Sequence, residues 1–273
     1  MFQQRHTRNV FQATFTTIAL IYHMTVYKLR MSERNAVVGL VMVISKAMIM
    51  VAVFLLIFST LGIRSSPIRG SFFVYIMSGI FMFMTHNAAL GAVLGAEGSV
   101  SALMKHVPLN TAITISASAL SVLYQQFLAC AVLLLMTNTF IEPVEIDRIY
   151  PCLAMFLMAW FSGCCIGMVF RAVQPWWPKG VLMISQLYTR ANMISSGKMF
   201  VANTMPTMVL NMFDWNPLFH IIDQTRGFAF INYTPHNSSV TYPIYCSLAL
   251  AMIGLMGEFF TRSRVSLSWG AGR

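Results

Sequence analysis

His220, Asp223 and Arg226 recur every third residue in the stretch Trp215-Asn216-Pro217-Leu218-Phe219-His220-Ile221-Ile222-Asp223-Gln224-Thr225-Arg226-Gly227. On a helix that spacing brings an imidazole, a carboxylate and a guanidinium near one face. Three kinds of chemistry are open to such a set. The carboxylate and guanidinium can form a structural ion pair. The three groups can line the path of a polar substrate. Together with His86 they can act as acid and base on a lipid-linked substrate. No P-loop string Gly-x-x-x-x-Gly-Lys-Ser/Thr occurs in the chain, so if ATP drives this protein a separate subunit must bind it.

The element that carries the set has its own start signal. Asn216 suits the N-cap and Pro217 the first helical position. Leu218, Phe219, Ile221 and Ile222 cover much of the remaining surface. The surroundings are oily: 57% of the 273 residues are apolar and 10% are charged, far from a soluble domain. The apolar residues form blocks of about twenty, enough to cross a hydrocarbon core of roughly 30 Å. The blocks are continuous rather than alternating, which predicts helices. The expected fold is an all-α integral membrane protein with six spans, near 36–62, 71–94, 112–137, 151–170, 181–197 and 242–261. The fifth is the shortest and carries Arg190 and Asn192. Lys46 lies inside the first.

Residues 10 to 30 read as an amphipathic helix. Phe11, Phe15, Ile18, Tyr22, Val26 and Leu29 share one face, and Lys28, Arg30 and Arg34 follow at its end. Such a helix is expected to lie along the cytosolic membrane surface. Residues 198 to 241 are too apolar for a free loop and, broken by Pro206, too short for a span. Two short helices dipping into the outer leaflet are expected there. The organisation that results is an interface helix and basic cluster at 1–35, a six-span domain at 36–261 with a re-entrant region near 198–235, and a basic tail at 262–273.

The net charge of +10 does not point to nucleic acid, because the cations fall at the ends of apolar runs. With both termini cytosolic, Arg5, Arg8, Lys28, Arg30, Arg34, Lys105, Arg171, Lys179, Arg262, Arg264 and Arg273 lie inside. Arg64, Arg69, Arg148, Lys198 and Arg226 lie outside. That asymmetry sets the orientation. No cleavable signal peptide is expected at the start. Cys130, Cys152, Cys164, Cys165 and Cys246 show no metal-ligand spacing and read as buried inert thiols. Gly91-x-x-x-Gly95 and Gly163-x-x-x-Gly167 permit close helix packing within the protomer.

The string Asn216, Pro217, Leu218, His220, Ile221, Ile222, Asp223 and Arg226 resembles the pattern before the last span of type-2 ABC exporter permeases. The likeness is greatest to those that export capsular polysaccharide, O-antigen or teichoic acid. Lys105-His106-Val107-Pro108-Leu109-Asn110 is similar to that family's short cytosolic segment between spans two and three. The order of amphipathic helix, basic cluster and first span is similar too. One departure is the start of span one, where Val37-Val38-Gly39-Leu40-Val41 stands in place of the family's Trp and Pro.

The resemblance implies a homodimer working with a separate ATPase subunit. That subunit binds ATP and Mg, and this chain binds no cofactor or metal. Lys28, Arg30, Arg34, Glu97 and Lys105 are the candidates for seating it. Trp215, Asn216, Pro217, His220, Asp223 and Arg226 are the re-entrant motif and candidate substrate path. Tyr75, Tyr124 and Trp160 are candidate channel aromatics for a lipid-linked glycan. The implied location is a bacterial inner membrane. A permease for a drug or lipid is the nearest alternative, and a membrane-embedded enzyme using His220, Asp223 and His86 is the alternative from another class.

Overall fold

The computed structural model describes residues 10–31, 36–60, 68–96 and 111–270. Among them the chain forms helices α1 (Val10–Met31), α2 (Ala36–Thr60), α3 (Phe72–Leu94), α4 (Thr111–Phe140), α5 (Ile149–Val173), α6 (Pro178–Ser195), α7 (Thr207–Phe213), α8 (Pro217–Ala229) and α9 (Thr241–Gly270). A 3-10 turn at Ala202–Thr204 precedes α7. No strand occurs among the described residues.

The starts of the helices follow from local chemistry. Ser71 caps α3: its hydroxyl accepts the backbone N–H of Val74 at 3.1 Å and donates to the Glu142 carboxylate. The α3 entrance is thereby tied to the loop after α4. Pro178 and Pro217 open α6 and α8, where the missing N–H of proline removes a donor that has no helical partner.

α3 is the centre of the bundle. It is buried over most of its length and packs against α5, α4, α8, α2 and α6. α5 also carries α9 and α8, and α1 lies against α4. Phe11, Phe15, Ile18 and Tyr22 of α1 remain exposed.

Among the described residues five helices are long and apolar enough to cross a membrane: α2 over Val41–Thr60, α3, α4, α5, and α9 over Thr241–Thr261. The fifth expected span, 181–197, corresponds to α6, and it falls short. Lys179, Gln186, Arg190 and Asn192 are spread through its 18 residues, which dilutes its hydropathy below that of its neighbours. Arg190 is exposed, as is Lys46 on α2. Between 198 and 241 the chain forms two short helices, α7 and α8.

The two glycine patterns differ. A Cβ on Gly167 would stand 2.8 Å from the Leu90 carbonyl oxygen, and one on Gly163 would collide with that of His86. This pair lets α5 press on the α3 backbone. Gly91 faces open space, so the first pattern makes no such contact here.

Overpacking a close contact costs about 1–3 kcal/mol. Gly163→Val is therefore expected to lower the melting temperature of the purified protein by several degrees. Gly91→Ala is expected not to lower it. Thermal unfolding in one detergent, read side by side, checks both.

Candidate functional site

α8 is the element on which the sequence motif falls. Asn216 is its N-cap, accepting the Leu218 N–H at 3.0 Å, and Pro217 is its first residue. The expected start is therefore the observed one. The helix is wedged among α3, α5 and α9. His220, Asp223 and Arg226 are 5%, 2% and 1% exposed, so each must find partners inside the protein.

Arg226 reaches back to the turn after α6. Its guanidinium donates to the carbonyls of Gly197 at 3.0 Å, Lys198 at 2.6 Å and Phe200. The guanidinium carbon lies 4.4 Å from the ring centre of Tyr75, a cation–π contact. The turn exists because Gly197 adopts φ +68°, and a Cβ there would meet the Phe219 ring at 2.6 Å. Only glycine satisfies both conditions.

Asp223 turns the other way. Its two carboxylate oxygens accept the hydroxyls of Tyr233 and Ser238, the latter at 2.7 Å. Burial and the neighbouring Asp223 carboxylate push the Tyr233 phenol well above its usual range, so it remains a donor. Among the described residues no ion pair joins Asp223 to Arg226. The helical spacing allowed one, but the carbonyls of the upstream turn hold the guanidinium.

His220 closes a third fastening. Its Nδ1 accepts the Ser239 N–H at 3.1 Å, so Nε2 carries the proton and donates to the Asp214 carbonyl at 2.6 Å. The Asp214 carboxylate stands 3.3 Å away. The motif thus joins the segment before α8 to the segment after it. His86 lies elsewhere. Its ring bridges Ser162 of α5 at 2.8 Å and Tyr188 of α6 at 3.0 Å. His86, His220 and Asp223 share no contact, and an acid–base centre built from the three does not form.

The remaining candidates do not meet in one place. Tyr75 is fully buried, and its hydroxyl donates to Met199 O at 3.2 Å. Trp160 donates to the Ala119 carbonyl of α4 at 2.8 Å. Tyr124 is exposed on α4. Trp215 is exposed, and its carbonyl accepts the Tyr242 hydroxyl at 2.7 Å. Tyr75, Tyr124 and Trp160 therefore line no common surface of this protomer. Lys28 is half-buried and Arg30 exposed at the end of α1. Arg34, Glu97 and Lys105 lie outside the described residues.

Three features escaped the sequence. Asn216 Nδ2 donates to Asn192 Oδ1 at 2.8 Å and to Ser195 Oγ at 2.9 Å, which ties α8 to α6. Arg171, 5% exposed, donates to the Val93 and Ala96 carbonyls at the end of α3 and stands 3.6 Å from Glu258 of α9. A basic residue at the end of a predicted span was the only signal, and it read as topogenic. Lys198, 2% exposed, has no hydrogen-bond partner for Nζ among the described residues. Its ammonium sits 3.5 Å from the Phe83 ring centre and 5.0 Å from that of Phe54. Burial lowers it from the ordinary 10.5 to about 8.

Two outcomes follow from these contacts. A hydrogen bond to a charged group contributes about 1.5–3 kcal/mol, and Arg226→Met strands three carbonyls. It is expected to abolish monodisperse protein in gel filtration, with Asp223→Asn milder because the amide oxygen still accepts one hydroxyl. For Lys198 the folded value is depressed, so the folded state resists protonation. Its destabilisation is full below about 8 and fades as pH rises toward 10.5. Lys198→Met should raise the melting temperature at pH 7, with an advantage that shrinks between pH 8 and 10. An advantage that grew over that range would contradict the assignment.

No family model matches the chain. Two proteins of Escherichia coli do, both described as "Polysialic acid transport protein KpsM". They are 24% and 23% identical to it over 185 residues, which is 68% of this chain and 71% of each relative. These are transport proteins rather than enzymes. The string from Asn216 to Arg226, five long apolar helices among the described residues and this similarity over two thirds of the length agree: the chain resembles the type-2 ABC permeases that export polysaccharide, which are transporter subunits rather than enzymes.

Proposed function

We propose that the chain is the membrane permease of an ATP-driven exporter that moves a lipid-linked glycopolymer, such as a capsular polysaccharide or O-antigen, out across a bacterial inner membrane. The observation that carries this reading is α8. A short helix with three buried ionisable residues is fastened to the segments on both sides of it and wedged against three apolar helices. A rigid polar element at that position suits a wall that must hold its shape while polymer passes.

The six-span reading draws support from where α6 leads. It begins just after α5 ends, its Tyr188 meets His86 midway along α3, and the residue after its turn, Lys198, packs against Gly79 nearer the start of α3. α6 therefore runs back along the bundle despite its composition, and a sixth crossing puts both termini on the cytosolic side. α7 and α8 then form the re-entrant pair in the outer half.

Two copies enclose the path, and a separate subunit binds ATP and Mg. Lys28, Arg30, Arg34, Glu97 and Lys105 would seat that subunit. Arg171 would pass its movement on, because one guanidinium holds the end of α3 and the Glu258 carboxylate of α9 at the mouth of the 97–110 segment.

The test is a pull-down of tagged protein from mild detergent, asking whether an ATPase subunit comes with it. Co-purification at roughly equal stoichiometry, and intracellular build-up of glycopolymer when the chain is deleted, are the expected results. Protein that purifies alone, with surface polymer unchanged on deletion, would overturn the proposal.

A further inference from the structure

α4 and α5 flank α3 and meet each other through two aromatic contacts. Trp160 donates to Ala119 near one end, and Phe127 stands edge-on to Phe156 with ring centres 6.3 Å apart. Toward the 141–148 loop the two helices stand apart, and the gap is a cavity of about 260 Å³. Met77 and Phe81 of α3 form its floor. Cys130 and Ala131 of α4 face Cys152 and Phe156 of α5 across it.

The few polar groups on its wall are already satisfied within their own helices. Ser78 donates to the Tyr75 carbonyl at 2.8 Å and Thr225 to that of Ile221 at 2.7 Å. A water molecule there would find too few partners to stay. The cavity opens sideways past Leu153, an exposed residue of a helix long and apolar enough to span. In a membrane spanned by that helix, the medium at that opening is hydrocarbon.

The loop that supplies part of the lining is charged. Ile146 and Ile149 line the cavity, and between them in sequence lie Asp147 and Arg148, both exposed, with Glu145 beside them. Arg148 and Asp147 form an exposed pair at 3.4 Å. A cation with two anions at the rim matches a headgroup that carries a phosphate and an amine.

We propose that the cleft between α4 and α5 holds one acyl chain of a zwitterionic membrane phospholipid, with its phosphate on Arg148 and its amine toward Glu145 and Asp147. The acyl chain fills the gap that the two helices leave over α3. It contributes packing there that no side chain of the protomer supplies. The inference needs only that these helices span a membrane, so it stands or fails independently of the exported substrate.

The test uses the full chain in nanodiscs containing phosphatidylethanolamine with a diazirine in one acyl chain. After irradiation, labelled residues are mapped by mass spectrometry. Adducts on Cys130, Cys152 and Phe156 are expected at least several-fold above those on Leu135 and Leu157, which face outward on the same two helices. Ala131→Trp, which fills the cavity, should remove the inner adducts and leave the outer ones. Arg148→Gln, an exposed change that leaves the core intact, should reduce the inner adducts several-fold. It decides the matter if the tryptophan variant fails to fold. Phosphatidylglycerol carrying the same probe should label the inner residues less. Adducts confined to the outward residues, or inner labelling that ignores both substitutions, would overturn the proposal.

Discussion

A guanidinium that is 1% exposed cannot be left without acceptors, because its desolvation would outweigh what the surrounding packing returns. Arg226 meets that demand with the carbonyls of Gly197, Lys198 and Phe200. Those carbonyls converge only because Gly197 turns left-handed under the Phe219 ring. The turn in turn needs Gly79 on α3, where a Cβ would stand 2.8 Å from the Lys198 oxygen. Helix end, turn, central helix and motif helix are thus set by one cation. The positions of His220 and Asp223 follow from it, since they ride on the same helix.

A second polar system runs beside the first. Ser162, His86 and Tyr188 join α5, α3 and α6, and Asn192, Ser195 and Asn216 join α6 to α8. α6 is the least apolar of the long helices, and hydrogen bonds hold it to α3 and α8. In an apolar setting such bonds have no competing water and fix orientation as well as contact. Asn192 therefore has a structural account, as the hydrogen-bond partner of Asn216. Lys198 is the exception, a buried ammonium that rests on two aromatic faces.

The parts of this arrangement that were legible in the sequence are the local ones. Asn216 and Pro217 announce a helix start by their own chemistry, and continuous apolar runs announce five of the spans. The Gly163–Gly167 contact was legible as a pattern, yet Gly91–Gly95 has the same pattern and packs on nothing. Spacing alone does not say which helix face is turned inward. The partners of Arg226 were invisible because they lie 26 to 29 residues upstream, in a stretch with no regular period. The same holds for Arg171, whose carbonyl acceptors are more than seventy residues away. The candidate aromatics failed to assemble for a related reason: Tyr75 and Trp160 have polar tips that found backbone carbonyls inside the bundle.

The direction of the Arg226 fastening bears on how the chain is made. Synthesis runs from the N-terminus, so the carbonyls of Gly197, Lys198 and Phe200 leave the ribosome before the guanidinium that satisfies them. Until α8 emerges, the end of α6 has bare acceptors and no reason to hold its turn. Once Arg226 arrives, the turn and α8 close together, and the Tyr233 and Ser238 hydroxyls that follow complete Asp223. α9 comes last and lays its Thr261 hydroxyl against the Ala172 carbonyl of α5. The motif before the last helix is in this sense a checkpoint of assembly: a nascent chain that stops short of residue 226 has α2 to α6 but lacks the group that locks them into one body.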